Sequence, residues 1–351
     1  MMRILFLFLE CSLCISAFAQ VPGLVSNTMK KDEKGISVTV QTHTFRFHSA
    51  VMTLTSEEEQ SGRIRKVSMG LDFGRIRNGG WSIWNFFSVL KNNRPCFHCS
   101  SPEVSMRNFD GMLVADIHWK FTDVPPLQLR IIQFQNEPEW LYMRIKGDLR
   151  QNDGLCFNFS MYPGGANWNI KERERLLITS DTEYSVSKQA AEIFPSGNGI
   201  IAANNYWHDD YGEFLIFEHE KIQRIFSPHT TNEISLRMTP KKQNDEFYFA
   251  LGYYFNKPKQ ESISRFLNEQ VATISARIRT IPWEIRLNPE TFYRELRETR
   301  ELCEKERKWD QEISALEESF GTATPAEQGI LLDKLLILRK TIITEALKRF
   351  Q

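Results

Sequence analysis

An excess of either charge is the first thing this chain lacks. Lys and Arg total 44 and Asp and Glu total 44, a formal net charge of +0 at pH 7. Proteins that hold nucleic acid carry a clear basic excess, so no nucleic-acid partner is expected. Long apolar runs are also missing beyond the N-terminus. The best late stretch, 331–343, is broken by Asp333, Lys334, Arg339 and Lys340, so no membrane span is expected in the mature chain.

Cysteine is scarce. Of 6 cysteines, Cys11 and Cys14 fall in the N-terminal segment, which leaves Cys96, Cys99, Cys156 and Cys303. A chain this long buries a core without cross-links, so any disulfide would trim the fold and not frame it. Nucleotide motifs are absent as well. Pro163-Gly164-Gly165 lacks the Gly-Lys-Ser/Thr ending of a phosphate loop, and Asp72-Phe73-Gly74 stands without the other kinase elements. No repeat of about twenty to fifty residues is visible, which excludes a solenoid. No catalytic residue can be assigned, and neither a cofactor nor a metal ion is expected.

What is present begins at the first residue. Arg3 precedes an apolar core through Leu9, Leu13 and Ile15, and Ala17-Phe18-Ala19 precedes Gln20. That is the charged start, apolar middle and small-x-small exit of a cleaved signal peptide over 1–19. The expected product is an exported, soluble protein, periplasmic or extracellular.

Residues 20–257 read as a large antiparallel β-sandwich. Leu127, Leu129 and Ile131 alternate with polar residues, as do Leu141, Met143 and Ile145, and Leu155, Phe157, Phe159 and Met161. Asp110-Gly111 marks a hairpin turn before Met112. The continuous apolar runs 214–217 and 247–251 suit strands covered on both faces. Many short strands with no helices between them argue for antiparallel layers.

After Pro258 the period becomes helical. Ile263, Phe266, Leu267, Val271, Ile274 and Ile278 fall on one stripe, which Ile281-Pro282-Trp283 ends. Asn288 as N-cap and Pro289 as first helical residue open a second stripe: Phe292, Leu296, Cys303, Trp309, Ile313, Leu316 and Phe320. Its one long step is the six residues from Cys303 to Trp309. Glu290 with Arg294, Glu301 with Lys305, and Glu304 with Lys308 are spaced as i,i+4 pairs. Thr324-Pro325-Ala326-Glu327 is a capping box opening a third stripe through Leu331, Leu335, Leu338, Ile342 and Leu347. The region 258–351 is therefore expected to end in a helical hairpin, about 289–320 and 325–350.

Three clusters are candidates for function. Trp207, His208, Asp209, Asp210 and Tyr211 form a polar, aromatic loop before an apolar strand. Flat rings stack on sugar faces, and carboxyls bond hydroxyls or serve glycoside cleavage. Its alternative is a turn in which the Asp residues bond their own backbone. Trp81 and Trp84 sit in Trp81-Ser82-Ile83-Trp84-Asn85-Phe86-Phe87, and Trp168 lies between Asn167 and Asn169. These are stacking candidates, with core packing as the alternative for Ile83, Phe86 and Phe87. Cys96-Phe97-His98-Cys99 is the third cluster. A structural disulfide between Cys96 and Cys99 is weighed against zinc, which lacks a second ligand pair, and a redox pair, which lacks a helix start.

The functional expectation is a carbohydrate-directed protein that binds or processes a glycan ligand at 204–213; as an enzyme it would be a hydrolase or lyase. The alternative is a structural or assembly protein that uses 289–350 to self-associate as a homo-oligomer or to bind a protein partner.

Overall fold

A computed structural model of the chain describes residues 23–31, 35–73, 80–149, 153–162, 174–194, 197–204, 211–230, 233–255, 258–303 and 307–348. The expected signal peptide lies outside the described residues.

The protein is mainly β, with antiparallel sheets followed by helices gathered at the C-terminus. Nine strands form the largest sheet. Their order is Glu183–Ser185, Arg175–Ile178, Gly199–Asn204, Tyr211–Phe217, Glu246–Phe255, Trp140–Lys146, Leu127–Phe134, Met112–Trp119 and Glu103–Phe109. A seven-stranded sheet runs Ala191–Ile193, Ile222–Ser227, Ile234–Pro240, Leu155–Tyr162, Phe87–Lys91 and Arg94–Pro95, with Gly80–Trp81 also paired to Leu155–Tyr162. A four-stranded meander, Gly23–Lys31, Ser37–Arg46, Val51–Glu59 and Ile64–Asp72, adds Phe45, Leu54 and Met69 to the shared core. The expected turn at Asp110-Gly111 is there. Both residues take positive φ, 48° and 80°, which suits a two-residue hairpin.

Between the two large sheets lies a core dense in aromatic rings. Leu127, Leu129, Met143 and Phe249 meet Phe157, Phe159, Leu236 and Met238 there. Phe159 and Phe249 lie 4.8 Å apart by ring centroid. The nine-stranded sheet is apolar on its other face too. Phe214, Ile216, Ala250, Ile132 and Tyr142 pack against Phe266, Ile274, Ile278 and Trp283. This double cover explains the unbroken runs at 214–217 and 247–251, since neighbouring residues on a strand serve opposite layers.

The covering helices are α1 (Lys259–Arg265) and α2 (Val271–Thr280), joined by a π-turn over Phe266–Gln270. Phe266 is buried against Phe214 at 4.4 Å. Gly199 lies beneath it, and a Cβ there would stand 2.7 Å from Phe266 Cζ. Ile281-Pro282-Trp283 then ends α2 and is clamped to the sheet. Arg130 donates from Nε and Nη2 to Asp116 at 2.6 and 2.8 Å, and from Nη1 to the carbonyls of Trp283 and Ile285 at 2.6 and 3.1 Å.

Three helices close the chain: α3 (Pro289–Cys303), α4 (Asp310–Thr322) and α5 (Pro325–Lys348). The caps match expectation. Glu290 N donates to Asn288 Oδ1 at 3.1 Å, and Thr324 N donates to Glu327 Oε2 at 2.8 Å. The single rod expected over 289–320 is corrected: α3 stops at Cys303, and a 3-10 turn at Arg307–Trp309 precedes α4. The six-residue step in the stripe falls at this break. It lets Phe292 stack on Phe320 at 3.8 Å, so α3 and α4 fold onto each other and onto α5. The expected i,i+4 pairing along the first rod is also corrected. Arg294 bonds Glu295, Lys308 bonds Glu345 of α5, and Arg300 bonds Glu317 of α4. Folding the rod back brings partners on other helices within reach of the same side chains.

Candidate functional site

Strand register gathers several chain segments at one end of the sandwich. Tyr162 pairs with Gly80 and Met161 with both Trp81 and Ile234, in the seven-stranded sheet. Arg175 pairs with Asn204, Ala202 with Glu213, and Tyr211 with Phe255, in the nine-stranded sheet. The two ends meet: Trp81 Nε1 donates to the Gly252 carbonyl at 3.1 Å, and Phe73 lies 4.6 Å from Tyr253 by ring centroid. Strand ends flanking 74–79, 163–173 and 205–210 therefore stand side by side. Trp168, Trp207, His208, Asp209 and Asp210 lie outside the described residues, as does the Tyr211 side chain, while the Tyr211 backbone is in its strand.

The described part of this end carries ionisable groups from both sheets. Glu213 and Arg175 are buried on the inner side of the nine-stranded sheet, in step with Leu215 and Leu177 of the core. Glu233 enters from the seven-stranded sheet. Burial raises its carboxyl above the ordinary carboxylate range, and hydrogen bonds from the Ser82 and Ser160 hydroxyls oppose that rise. Burial also raises the Tyr162 phenol. The Glu233 charge adds to that rise, and the Arg175 guanidinium opposes it. A carboxyl kept protonated beside a tyrosine and an arginine is a group suited to donating a proton at a leaving oxygen.

The two tryptophans of the 81–87 segment have different fates. Trp81 is 2% exposed, edge-on to Phe86 and Phe159, so it is a core residue and offers no face to a ligand. Trp84 is 76% exposed, on a turn two residues from Ser82. Phe86 and Phe87 are buried as expected, but Ile83 is corrected: it is 56% exposed. The cause is the tight turn. Ser82 O accepts from Leu71 N at 3.1 Å, Phe86 N donates to Met69 O at 2.7 Å, and Asn85 N donates to Ser82 Oγ at 3.2 Å. That cross-link between sheets leaves the intervening side chains outside.

The Cys96-Cys99 disulfide is likewise absent, and both are free thiols. The segment runs extended beside 120–122: Cys99 N donates to Lys120 O at 3.0 Å, and Thr122 N to Phe97 O at 3.1 Å. Extended chain sends residues three apart to opposite sides. Cys96 is buried in the core and Cys99 is exposed. Burial pushes the Cys96 thiol up to about 12, so it stays protonated. His98 packs against Phe121 at 4.7 Å and edge-on to Trp119. Among the described residues, no group of three or more His, Cys, Asp or Glu side chains is arranged to hold a metal ion.

The helical region expected to seek a partner is docked on this chain's own sheet. Arg107 donates to the Gly329 carbonyl at 3.0 Å and bonds Asp333, and Lys334 bonds Glu103 at 3.2 Å. Gly329 is pressed so close that a Cβ there would stand 2.7 Å from Ser105 Oγ. No helix of the described residues is long and apolar enough to cross a membrane.

Sequence reasoning missed Glu233, Tyr162 and Arg175. Their only sequence signal is position at a strand end beside a turn-rich segment.

No known protein family matches this chain, and no curated protein does either. Among solved structures it is similar to heparinase III, with a TM-score of 0.38, 9% identity, and coverage of 67% of this chain and 38% of that one. It is similar to the α-galactosidase from Lactobacillus brevis, with a TM-score of 0.34, 7% identity, and coverage of 61% and 39%. It is also similar to the 4-α-glucanotransferase from Thermococcus litoralis, with a TM-score of 0.26, 8% identity, and coverage of 66% and 40%. The chain thus spans about two fifths of the length of these three proteins.

Proposed function

We propose that this is an exported protein that binds or processes a glycan at the sandwich end formed by 73, 80–84, 162, 174–175, 204, 211–213, 233 and 253. One observation carries the reading. Strand register assembles the flanks of three aromatic-rich segments at a single end, where Glu233, Tyr162, Arg175, Glu213 and exposed Trp84 also stand. Export rests on the signal pattern of 1–19. Aromatic faces supply stacking and the acids supply hydroxyl contacts. If bond cleavage occurs, Glu233 is the group suited to donate the proton.

Tryptophan-fluorescence titration of the full chain against neutral, acidic and amino polysaccharides tests this reading. Binding by at least one class is expected, weakened about tenfold in Trp207→Ala and several-fold in Trp84→Ala, each ring contributing on the order of 1 kcal/mol. Silence from every class, or a Trp207→Ala variant that binds like the parent, rules it out. For the catalytic arm, Glu233→Gln is expected to abolish product release while leaving binding within about twofold.

A further inference from the structure

A cavity of about 380 Å³ opens on the outer face of the seven-stranded sheet, away from the core. Asn92, Asn93, Gly154, Cys156, Arg224, Phe226, Arg237 and Thr239 border it, and the argument turns on Arg237, Arg224 and the asparagine turn. Register explains the gathering. Glu192, Phe226, Arg237, Asn158 and Ser88 stand directly opposite one another across five strands, and Arg224 is opposite Thr239.

The two arginines are held differently. Arg224 donates to both carboxylate oxygens of Glu192, at 3.1 and 3.4 Å, and lies 5.3 Å over the Phe226 ring. Arg237 has one hydrogen bond, from Nη1 to Asn93 Oδ1 at 3.2 Å. Its Nε is buried with no hydrogen-bond partner, and it makes no ion pair among the described residues. A desolvated guanidinium donor without an acceptor is costly, and a second guanidinium in the same cavity adds repulsion. An oxyanion would relieve both, because the guanidinium fork matches two oxygens at once.

The rim is rigid in a way an incidental groove would not need. Asn92 and Asn93 both occupy the left-handed region, with φ of 51° and 64°. Asn92 N donates to the Gly154 carbonyl at 2.9 Å. Gly154, with φ 72°, is packed so closely that a Cβ would fall 2.0 Å from Asn92 Oδ1. This lock fixes Asn93, which in turn aims Arg237. Below the arginines, burial pushes the Cys156 thiol up to about 12, and it donates to the Phe157 carbonyl at 3.6 Å. The floor is neutral and unreactive, so the cavity is suited to binding and not to thiol chemistry.

We infer that this cavity binds an oxyanion, the carboxylate or sulfate of a small polar ligand, with Arg237 as the anchor and Arg224 as the second cation. Its volume lies in the range of about 300–1,000 Å³ typical of small-molecule sites, larger than a bare ion requires. The inference does not depend on the glycan reading, which concerns different residues.

Calorimetric titration of the full chain with sodium glucuronate, sodium sulfate and glucose, at matched ionic strength in chloride, tests it. Saturable binding of at least one oxyanion is expected, with none for glucose. A preference for glucuronate assigns the source to an organic carboxylate, and a preference for sulfate assigns it to a sulfate group or the free ion. Arg237→Gln should weaken that binding at least about tenfold, and Arg237→Lys several-fold, since lysine keeps the charge and loses the fork. Should Arg237→Gln fail to fold, Asn93→Ala supplies the same test by removing the bond that aims Arg237. Trp84→Ala should leave oxyanion affinity unchanged. Equal heats for both oxyanions and chloride, or anchor variants that bind like the parent, overturn the assignment.

Discussion

The two large sheets of this protein are built from similar residues and used differently. The nine-stranded sheet is buried on both faces, so Trp140–Lys146 is covered at every position but its last. In the seven-stranded sheet, Ile234–Pro240 alternates between buried and half-buried residues, and Ile222–Ser227 exposes Gln223 and Arg224. One sheet therefore spends its second face on helices, and the other leaves that face available for a ligand. Stability and recognition are divided between sheets and not between the ends of one sheet. The comparison predicts that substitutions of the same chemical type will have very different costs on the two sheets.

The largest effect is expected on the covered sheet. Asp116→Ala strips the partner from Arg130 and loosens the clamp on Trp283 and Ile285. Leaving a buried charge uncompensated costs about 3–5 kcal/mol, readable as a fall in the denaturant midpoint. A loss below about 1 kcal/mol would mean that the helix layer contributes little, and the contrast between sheets would fail.

Acid should act next. Burial between Trp119 and Phe121 holds His98 down to about 4. In the unfolded chain it titrates near its ordinary value of about 6.5. Between those values the unfolded state binds the extra proton. Stability contributed by neutral His98 is thus fully present above pH 6.5 and is lost as pH falls to 4, by at most about 3 kcal/mol. His43, also lowered by burial, adds to the same slope. Urea titrations at pH 7, 6 and 5 should show the decline, and His98→Phe should flatten most of it.

Docking of α5 gives a smaller, local effect. Arg107→Ala removes the bonds to Gly329 and Asp333 and leaves a carboxyl that burial already pushes up. A cost of about 1–3 kcal/mol is expected, with faster amide exchange in α5 and unchanged exchange in the strands of the core. The smallest effect belongs to the open sheet. Arg237→Gln should shift stability by less than about 1 kcal/mol while removing oxyanion binding, which separates the two roles.

What the sequence revealed follows from the range of the interactions involved. Caps at Asn288 and Thr324–Glu327 were legible because each donor and acceptor lies within three residues of the other. Doubly covered strands were legible because packing on two faces forces an unbroken apolar run. Arg130 shows where that reasoning ends. It alternates with Leu129 and Ile131 like any outward polar residue, yet it is buried beneath a carbonyl some 153 positions downstream. The oxyanion cavity is of the same kind, since Asn93, Arg224 and Arg237 share a surface only through strand register. Of the candidate site, the aromatic segments were visible as composition. Their meeting at one end, and the contributions of Glu233, Tyr162 and Arg175, required the pairing of distant strands.

The π-turn at Phe266–Gln270 sets the rotational phase of everything after it. Its wider loop absorbs one residue more than a regular helical turn. Deleting a single amino acid from this turn would restore uniform winding and swing the downstream helix about 100° around its axis. Ile274 and Ile278 would then leave the sheet they now seal, so a one-codon deletion here is expected to be worse tolerated than most point changes in the same segment.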